Sequence, residues 1–485
     1  MKLYHTLASD RTGREKEVMA DLGDWLERVD WKAYREEAVE LLSDLIRIDT
    51  SNPPGGETEA ARYLRRLFEK EGLEGEILEP EAEPGRGSLY LRHQGEEPGP
   101  KLMLLSHTDV VPVADPSRWD HPPFSGALAE GYVWGRGALD MKCQTITEAL
   151  TVLLFKRLRL KFSGELVYLA VADEERGGEK GAGWLKENYP ELLKVDYALN
   201  EGGGEAIPLG GKTFYAIETV EKGLLWLKVR VKGRSGHGSI PHKDNALIKA
   251  AALIDRLGQE PFPKRLEETV KALITKLAGA LGPQGQGLAE MILEPEAEVE
   301  PDFGSFTFEG LPFPPEALNA FIRTTISPTM IQAGVKENVI PDSCEFVLDC
   351  RLLPGSSREE VQTRLEALAR EIGIEFDLDL EVLQYHPASG SAVGTEFYRV
   401  IERALREELP GIETVPLLLT GATDSRFLRE LGALAYGLCP LSSKITLQDR
   451  LKLVHGDNER IDPESLELQV RVFTRIAAEV LKARG

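Results

Sequence analysis

The sequence predicts an α/β fold: a mostly parallel sheet flanked by helices, with an inserted ferredoxin-like α+β domain that serves as a lid or dimerisation domain. Two observations predict it. Helix and strand patterns alternate in residues 1–221 and again in 385–485, which is typical of parallel sheets covered by helices. Between them, residues 222–384 follow the order strand-helix-strand-strand-helix-strand, which is the ferredoxin-like order. A chain of 485 residues is also too long for one ordinary core, so two domains are expected.

The first part of the catalytic domain, residues 1–221, begins with helices. The acidic segment REKEVMADLGDWLERV and the segment YREEAVELLSDLIRI are predicted helices, and the second ends at DTSNPPGG, a loop dense in turn residues. Further predicted helices are TEAARYLRRLFEKEG and TITEALTVLLFKRLRL. Strands are predicted at KLMLLSHTDVV, GELVYLAVADEE and VDYALNEGG.

The inserted part, residues 222–384, has strands of a more alternating pattern. Its predicted strands are LLWLKVRVKG, TTISPTM, CEFVLDCRLLPG and IEFDLDLEVLQ, and its predicted helices are NALIKAAALIDRL and SREEVQTRLEALAREIG. An acidic, proline-containing elaboration at about 260–322 interrupts this order, with a helix expected near RLEETVKALITKLAGAL. Residues 385–485 resume the first domain with FYRVIERALREEL, GALAYGLCP and PESLELQVRVFTRIAAEVLKA.

Composition argues against several classes of function. The net charge of −22 argues against nucleic acid as a partner, because a protein that neutralises phosphates carries a basic face, and against an anionic membrane. No apolar run approaches the length of a membrane span, and the N-terminus lacks the apolar core of a secretory signal. The four cysteines have no CxxC spacing, which favours free thiols in a reducing compartment. A cytoplasmic enzyme is therefore expected.

Histidine and acidic residues stand where the predicted strands end. These positions are His107, Asp140, Glu175, Glu201 and His455. Ligands bind beyond the carboxyl ends of the strands in such sheets, so these side chains are expected at one site. Two divalent metals that share a bridging carboxylate need about this set, because each ion takes one imidazole and one private carboxylate. The sequence therefore predicts a two-metal amide hydrolase.

Two neighbouring acids extend this set. Asp109 lies two positions after His107 at the same strand end, so it is expected to accept a hydrogen bond from the second nitrogen of the imidazole. Glu174, beside Glu175, is the expected general base for the attacking water. Taken alone, Glu174 would be an ordinary loop acid, and Asp140 would more often be a helix N-cap.

Several segments, in their order along the chain, resemble the family of co-catalytic zinc hydrolases that includes aminoacylase, carboxypeptidase G, carboxypeptidase S, acetylornithine deacetylase and succinyl-diaminopimelate desuccinylase. The matching segments are SHTDVVP, WDHPPFSGALAEGYVWGRGALDMK, DEERGG, NEGG, GRSGHGSIP, NVIPDSCEFVLDCR and TGATDSRF, followed by His455. They cover nearly everything after the N-terminal helix.

The resemblance implies how the metals are held. His107 and Glu201 would hold one zinc ion, Glu175 and His455 the other, and Asp140 would bridge them. Cobalt or manganese are alternatives to zinc, because an oxygen-rich set without thiolates accepts several metals. The resemblance also implies a cis peptide bond after Asp140.

The resemblance further implies contacts with the substrate. His237 in GRSGHGSIP would steady the oxyanion in the partner subunit of a homodimer formed through the inserted domain. Asn338 and Arg351 would grip the substrate, with Arg351 suited to a bidentate carboxylate contact. Gly421 and Thr423 would line the substrate pocket. Taken alone, His237 is a loop histidine and Arg351 an exposed strand arginine.

The predicted reaction is hydrolysis of an amide bond next to a free carboxylate, in a small molecule or a short peptide. The first interpretation is deacylation of an N-acyl amino acid, and the alternative is a dipeptidase or carboxypeptidase. A noncatalytic relative that uses the pocket only for binding is a third possibility. Such proteins usually lose a ligand or the base, whereas all six positions are present here.

Overall fold

The computed structural model describes residues 25–259, 261–294, 313 and 315–485. The predicted N-terminal helix REKEVMADLGDWLERV lies largely outside the described residues. The described helices are α1 Trp31–Ile46, α2 Glu57–Glu69, α3 Lys142–Arg157, α4 Ala182–Asn188, α5 Pro190–Leu193, α6 Ala246–Gln259, α7 Glu268–Ala280, α8 Gly282–Leu293, α9 Pro315–Ile322, α10 Arg358–Glu371, α11 Glu396–Glu408, α12 Ser425–Glu430, α13 Leu447–Leu453 and α14 Pro463–Leu481. None of them is both long and apolar enough to cross a lipid bilayer.

Strands alternate with these helices along much of the chain. The described strands are β1 Gly75–Leu78, β2 Ser88–Gln94, β3 Glu97–His107, β4 Ala127–Ala129, β5 Tyr132–Trp134, β6 Ser163–Val171, β7 Tyr197–Asn200, β8 Gly203–Leu209, β9 Lys212–Glu221, β10 Gly223–Lys232, β11 Gly236–His237, β12 Thr325–Ala333, β13 Val339–Ile340, β14 Ser343–Leu352, β15 Leu378–His386, β16 Ser389–Gly390, β17 Glu413–Leu419, β18 Leu434–Gly437 and β19 Arg460–Ile461.

The chain divides into two compact units. The first comprises the described residues up to Thr219 together with Ser391–Leu417 and Thr423–Gly485, and the second comprises the described residues of Val220–Gly390 and Leu418–Ala422. The predicted insert, residues 222–384, is therefore shorter than the second unit at both ends. It also lacks the short segment Leu418–Ala422, which contacts the insert in space although it is distant in sequence.

The first unit contains a large mixed sheet. Its strand order is β1-β2-β6-β3-β7-β18-β9, and β8 and β17 also pair with β9. The central neighbours β6, β3, β7 and β18 run parallel, as the alternating helix and strand patterns predict. Antiparallel strands lie on both sides of this centre. The carboxyl ends of β3, β6 and β7 therefore meet at one edge of the sheet, where ligands bind in such folds.

Helices cover both faces of this sheet. On β3, Leu102 and Leu104 pack into a core that includes residues of α1, α2, α3, α11 and α14. Met103 and Leu105, which point the other way, pack into a second core with residues of α4 and α12. Because both faces are buried, β3 reads in the sequence as a continuous apolar run rather than an alternating one.

The second unit has the predicted ferredoxin-like arrangement. Its elements follow the order β10-α6-β12-β14-α10-β15, and its antiparallel sheet has the strand order β12-β14-β10-β15. One face of β10 packs against residues of α6 and α10 through Leu225, Leu227, Val229 and Val231. The elaboration between α6 and β12 contains α7, close to the helix expected there, and also α8 and α9.

Candidate metal centre

The first pair of candidate ligands comes from two neighbouring parallel strands. His107 is the last residue of β3, and Glu201 directly follows β7. Because these strands pair in parallel, their carboxyl ends lie side by side. The Nε2 atom of His107 lies 3.7 Å from Oε1 of Glu201 and 3.2 Å from Oδ1 of Asp140.

The prediction that Asp140 stands at the end of a strand is wrong, because β5 ends at Trp134 and a glycine-containing turn leads from there to Asp140, just before α3. A distant part of the chain holds Asp140 in place. The peptide bond between Asp140 and Met141 is cis, as the resemblance implies. The backbone N–H groups of Leu139 and Asp140 donate to Oε1 of Glu459 at 2.8 and 3.0 Å. Arg136 donates to the other oxygen of Glu459 at 2.7 Å, and both of these side chains are buried. A buried ion pair therefore fixes the backbone that carries Asp140.

The prediction that His455 ends a strand is wrong. The segment before it is the helix α13, whose first turn is closed by a capping box between Thr446 and Asp449. The apolar pattern of LKLV is too short to distinguish a strand from the last turn of a helix. His455 follows this helix with a φ of 59°. Its Nε2 atom lies 3.1 Å from Oδ2 of Asp140 and 3.2 Å from Oε2 of Glu175.

Glu174 and Glu175 lie in a short 3₁₀ turn that follows β6. The carboxylate of Asp109 accepts hydrogen bonds from the backbone N–H groups of both glutamates, each at 3.1 Å. The side-chain amide of Asn52 donates to the same carboxylate at 2.8 Å. Asp109 therefore anchors the turn that presents the predicted base and one predicted ligand.

Asp109 also contacts His107, although not mainly as the sequence predicts. The Nδ1 atom of His107 lies 2.9 Å from the backbone carbonyl oxygen of Asp109 and 3.5 Å from its carboxylate. The nearer carbonyl oxygen is the better hydrogen-bond acceptor by distance. The ring is thus oriented through the backbone of Asp109, while the carboxylate of Asp109 is directed to the glutamate turn.

The five candidate ligands form two groups that could each hold a metal ion. One group is His107, Asp140 and Glu201, and the other is Asp140, Glu175 and His455. Within each group the donor atoms lie within 4.8 Å of one another. Imidazole nitrogens and carboxylate oxygens suit zinc and similar divalent cations. The buried Oε1 of Glu175 has no hydrogen-bond partner in the described part of the chain. The residues therefore fit two cations that share Asp140.

The electrostatics of this cluster are those of a strongly anionic site. Burial raises the pKa of Glu201 to about 8. Burial and the neighbouring Glu201 raise the pKa of Glu174 well above its usual range. Hydrogen bonds with Asp140 and Glu175 raise the pKa of His455 to about 10. Bound cations relieve the repulsion between such carboxylates, so the charges agree with the donor geometry.

His237 and Asn338 come together within the second unit. His237 lies in β11 opposite Val339 of β13, and the backbone N–H of Gly238 donates to the carbonyl of Asn338 at 2.8 Å. His237 is exposed, and its Nδ1 atom lies 2.7 Å from the hydroxyl of Ser239. The two residues are 101 positions apart in the sequence, so they come together only in the folded chain. Their roles at the substrate stay predictions.

The other predicted substrate residues have different surroundings. Arg351 on β14 donates to Asp349 of the same strand at 2.7 and 3.1 Å. A Cβ atom added at Gly421 would contact nothing nearer than 4.0 Å, so packing does not require a glycine there. Thr423 is buried, and its hydroxyl accepts a hydrogen bond from the amide of Asn200, the last residue of β7, at 3.2 Å. A role of these residues in substrate binding stays a prediction.

The sequence reasoning missed three residues that support the site. Asn52 and Glu459 hold the backbone or side chains of the acidic residues described above. Arg450 of α13 donates to the carbonyl of Gly203 at 3.0 Å and forms a buried ion pair with Glu205. It thereby joins the helix that precedes one predicted ligand to the strand that follows another. Asn52 stands in the turn-rich loop DTSNPPGG, and Glu459 stands in HGDNE, but neither segment reveals its distant partners.

Comparison with known proteins identifies the family. The sequence pattern of Peptidase family M20/M25/M40 matches residues 103–479. The chain belongs to this family. The matched range contains all five candidate ligands, the predicted base Glu174 and the whole second unit. The M20 family thus accounts for both parts of the predicted fold.

Relatives of the M20 chain include amide hydrolases of more than one kind. It is 28% identical over 462 residues to the N-fatty-acyl-amino acid synthase/hydrolase PM20D1 of Xenopus tropicalis, covering 91% of this chain and 85% of that protein. It is 25% identical to aminoacylase-1B of Rattus norvegicus, covering 91% and 94%. Its fold is similar to that of the M20 metallo-carboxypeptidase Sso-CP2 from Sulfolobus solfataricus, with a TM-score of 0.69, 19% identity and coverage of 92% and 99%.

The M20 chain is therefore an amide hydrolase. The resemblance drawn from the sequence motifs is confirmed, and the mixed α/β fold agrees with the solved structures of the family. Both the deacylases and the peptidases among the relatives fit this description.

Proposed function

We propose that the protein is a two-metal N-acyl-amino-acid amidohydrolase and that its two cations are zinc. The observation that carries the proposal is the convergence of five donor side chains into two groups that share Asp140. His107 and Glu201 would hold one cation, and Glu175 and His455 the other. The set contains no thiolate, so cobalt or manganese could replace zinc without a change of ligands.

The cations would polarise the amide carbonyl and lower the pKa of the attacking water. Glu174 would accept the proton of this water and return it to the leaving amine. Its carboxylate lies 4.0 Å from Nε2 of His107, and Asp109 fixes the turn that carries it. Burial keeps bulk water away from this carboxyl and raises its pKa, which strengthens it as a base once it is ionised.

The proposed substrate carries a free carboxylate beside the amide bond that is cleaved. Arg351 would bind this carboxylate, since a guanidinium matches two carboxylate oxygens at once. His237 would donate to the oxyanion, and Asn338 would contact the substrate beside it. Gly421 and Thr423 would form part of the pocket wall.

Deacylation is preferred over peptidase activity because of the curated relatives. The relatives named as N-fatty-acyl-amino acid synthase/hydrolase and as aminoacylase align with about nine tenths of the chain. The second candidate is a dipeptidase or carboxypeptidase, which is favoured by the likeness of the fold to human carnosine dipeptidase 1 and to Sso-CP2.

A substrate panel tests the choice between the two activities. N-acyl amino acids, from acetyl to palmitoyl, would be compared with dipeptides by kcat/KM, each with added zinc, cobalt or manganese. The proposal expects the highest kcat/KM on an N-acyl amino acid, and it expects that removal of metal by a chelator abolishes turnover. A higher kcat/KM on dipeptides would select the peptidase instead.

We also propose that the protein is a homodimer joined through the second unit, and that it works in the cytoplasm. Support for the dimer comes from β12, an edge strand of the described sheet, on which Met330 and Ile331 are 68% and 57% exposed. An exposed edge strand is a template for pairing with another strand. Support for the cytoplasm comes from the cysteines, which are all free and buried.

A further inference from the structure

An acidic residue occupies one edge of the arginine that is proposed to bind the substrate carboxylate. Asp349 and Arg351 lie two positions apart on β14, so their side chains leave from the same face of the sheet. Oδ1 of Asp349 accepts from Nε of Arg351 at 2.7 Å, and Oδ2 accepts from Nη2 at 3.1 Å. The intervening Cys350 points into the core and is fully buried. The pair therefore lies on the face of β14 opposite the core.

This contact leaves a second edge of the guanidinium available. Arginine offers two edges that can each match a carboxylate: one formed by Nε and Nη2, the other by Nη1 and Nη2. Asp349 takes the first edge. Within the described chain, Nη1 of Arg351 makes no hydrogen bond, and the side chain is 29% exposed. The outer edge can thus accept a second carboxylate while Asp349 stays in place.

The nearby Lys222 makes its hydrogen bonds to other groups than Asp349. The ammonium group of Lys222 is buried and donates to the backbone carbonyls of Ala320 and Arg323 at 3.0 and 2.8 Å. Burial, with a further effect of Arg351, lowers the pKa of Lys222 to about 7. Lys222 therefore donates its hydrogen bonds at the C-terminal end of α9. Asp349 accepts hydrogen bonds from Arg351 instead.

The pair differs from the other ion pairs on the same face. Arg230 pairs with Glu345, Lys228 with Glu381, and Lys232 with Asp379. Each of these joins β10 to a neighbouring strand, so each contributes to strand pairing. The contact between Asp349 and Arg351 lies within β14 and links no two strands. The contact therefore orients the guanidinium of Arg351 and does not contribute to the pairing of strands.

We propose that Asp349 is a positioning residue that holds the guanidinium of Arg351 with its outer edge ready for the carboxylate of the substrate. This inference rests on the proposed function, in which Arg351 binds that carboxylate. A pre-oriented arginine loses little side-chain entropy when the substrate binds. Asp349 therefore determines the preference for substrates that carry a free carboxylate, without taking part in the bond cleavage.

The test compares a carboxylate substrate with its neutral carboxamide in the metal-loaded enzyme. The carboxylate substrate is the best of the panel above, and the carboxamide differs from it only at the C-terminal group. The variants are Asp349→Ala, Asp349→Asn and Arg351→Ala. The matched control is Glu345→Ala, which removes an acid from the same face of the same strand. Each variant is first checked for thermal unfolding and metal content.

We expect Asp349→Ala to raise KM for the carboxylate substrate by about three- to tenfold, as the loss of pre-ordering of one long side chain predicts. Its KM for the carboxamide and its kcat should stay close to those of the parent enzyme. Asp349→Asn keeps one acceptor oxygen and should raise KM less. Glu345→Ala should change neither value. A rise in KM for the carboxylate substrate with an unchanged kcat is not expected from a general loss of structure.

Other results would distinguish a failure of the inference on Asp349 from a failure of the proposed role of Arg351. If Arg351→Ala weakens the preference for the carboxylate and Asp349→Ala does not, the inference on Asp349 is overturned and the proposed function stands. An unchanged or lower KM for the carboxylate substrate in Asp349→Asn also overturns it, which covers the case of an unfolded alanine variant. If Arg351→Ala leaves the preference unchanged, the proposed role of Arg351 fails and the inference fails with it.

Discussion

At the scale of single residues, buried carboxylates fix the backbone that carries the other acidic residues of the site. The carboxylate of Asp109 accepts hydrogen bonds from the backbone N–H groups of Glu174 and Glu175. The carboxylate of Glu459 accepts hydrogen bonds from those of Leu139 and Asp140. Such supporting groups orient metal ligands, and their loss is felt in metal affinity as well as in rate. The roles of ligand, base and support can therefore be separated by measuring both quantities in each variant.

The proposed base Glu174 and the proposed metal ligand Glu175 should respond differently to the same substitution. Glu174→Gln should keep both metals and lower kcat by about 10²- to 10⁴-fold, because a general base contributes about that much. Glu175→Gln should lower the metal content, because it alters a proposed ligand. Metal analysis by mass spectrometry beside steady-state kinetics checks both. A Glu174→Gln enzyme with near-normal kcat would remove this residue from the role of base.

Asp109 should act on metal affinity through the glutamate turn. Asp109→Asn replaces one acceptor oxygen with an amide N–H group that faces other N–H donors, so the turn that carries Glu174 and Glu175 loses part of its support. The expected result is a rise in the metal Kd of about 10- to 100-fold. Competition with a coloured chelator measures it. Asp115→Asn, in an exposed loop, is the control, and an equal Kd in both variants would contradict the prediction.

Glu148 of α3 should make stability depend on pH. Its carboxyl is buried, it accepts from the amide of Gln144 at 2.9 Å, and burial raises its pKa from 4.5 to about 8. The folded state therefore keeps a proton that the unfolded state loses, so stability is full below about pH 4.5 and decreases as the pH rises to about 8.

The measurement compares the parent protein with Glu148→Gln, in which the side chain at position 148 cannot ionise. The variant should gain in free energy of unfolding relative to the parent by up to about 1.4 kcal/mol per pH unit within that window. Denaturant unfolding at several pH values, at constant metal loading, gives this difference. A difference that does not change between pH 5 and pH 8 would show that the carboxyl is ionised in the fold.

The candidate ligands were more predictable than the residues that support them, for a physical reason. Each ligand stands at the end of a recognisable element or in a distinctive motif, so local patterns point to it. Asn52 and Glu459 act on partners that are 57 and 319 or more positions away. Nothing in a local pattern encodes such contacts, which arise only when the sheet is assembled.

At the scale of elements, apolar runs predicted the central strands well and the short elements poorly. β3, β6 and β7 are buried and continuous, so their patterns are clear. The antiparallel hairpin of β8 and β9, the strand β17 and the helix α13 were not predicted. The end of α13 was predicted as a strand because its three apolar positions fit the periodicity of a helix and that of a strand. Its capping box, Thr446 with Asp449, was the signal that could have identified it.

The edge strand β12 should be the element that joins two copies. Replacing Met330 and Ile331 by lysine should separate a dimer into monomers, because charges on an exposed edge oppose strand pairing. Light scattering coupled to size-exclusion chromatography gives the mass. The control is Phe376→Lys, which changes another exposed apolar side chain of the second unit. A mass that is the same for the edge variant and the parent would contradict this interface.

At the scale of the whole molecule, the sequence predicted the two-part organisation and the type of each part. It placed the ends of the insert within a few residues of the second unit, but the segment Leu418–Ala422 belongs to that unit only through spatial contact. The net charge of −22 is spread over a molecule whose candidate site is itself acidic. Cations and Arg351 would therefore have to receive an anionic substrate against the field of the protein.

The central claim is that five side chains from distant parts of the chain would hold two cations through a shared carboxylate. Anomalous diffraction at the zinc edge, from crystals of the zinc-loaded protein, tests it most directly. The account predicts two peaks about 3.5–4 Å apart, one beside His107 and Glu201 and one beside Glu175 and His455, with Asp140 between them. A single peak, or peaks away from these side chains, would contradict it.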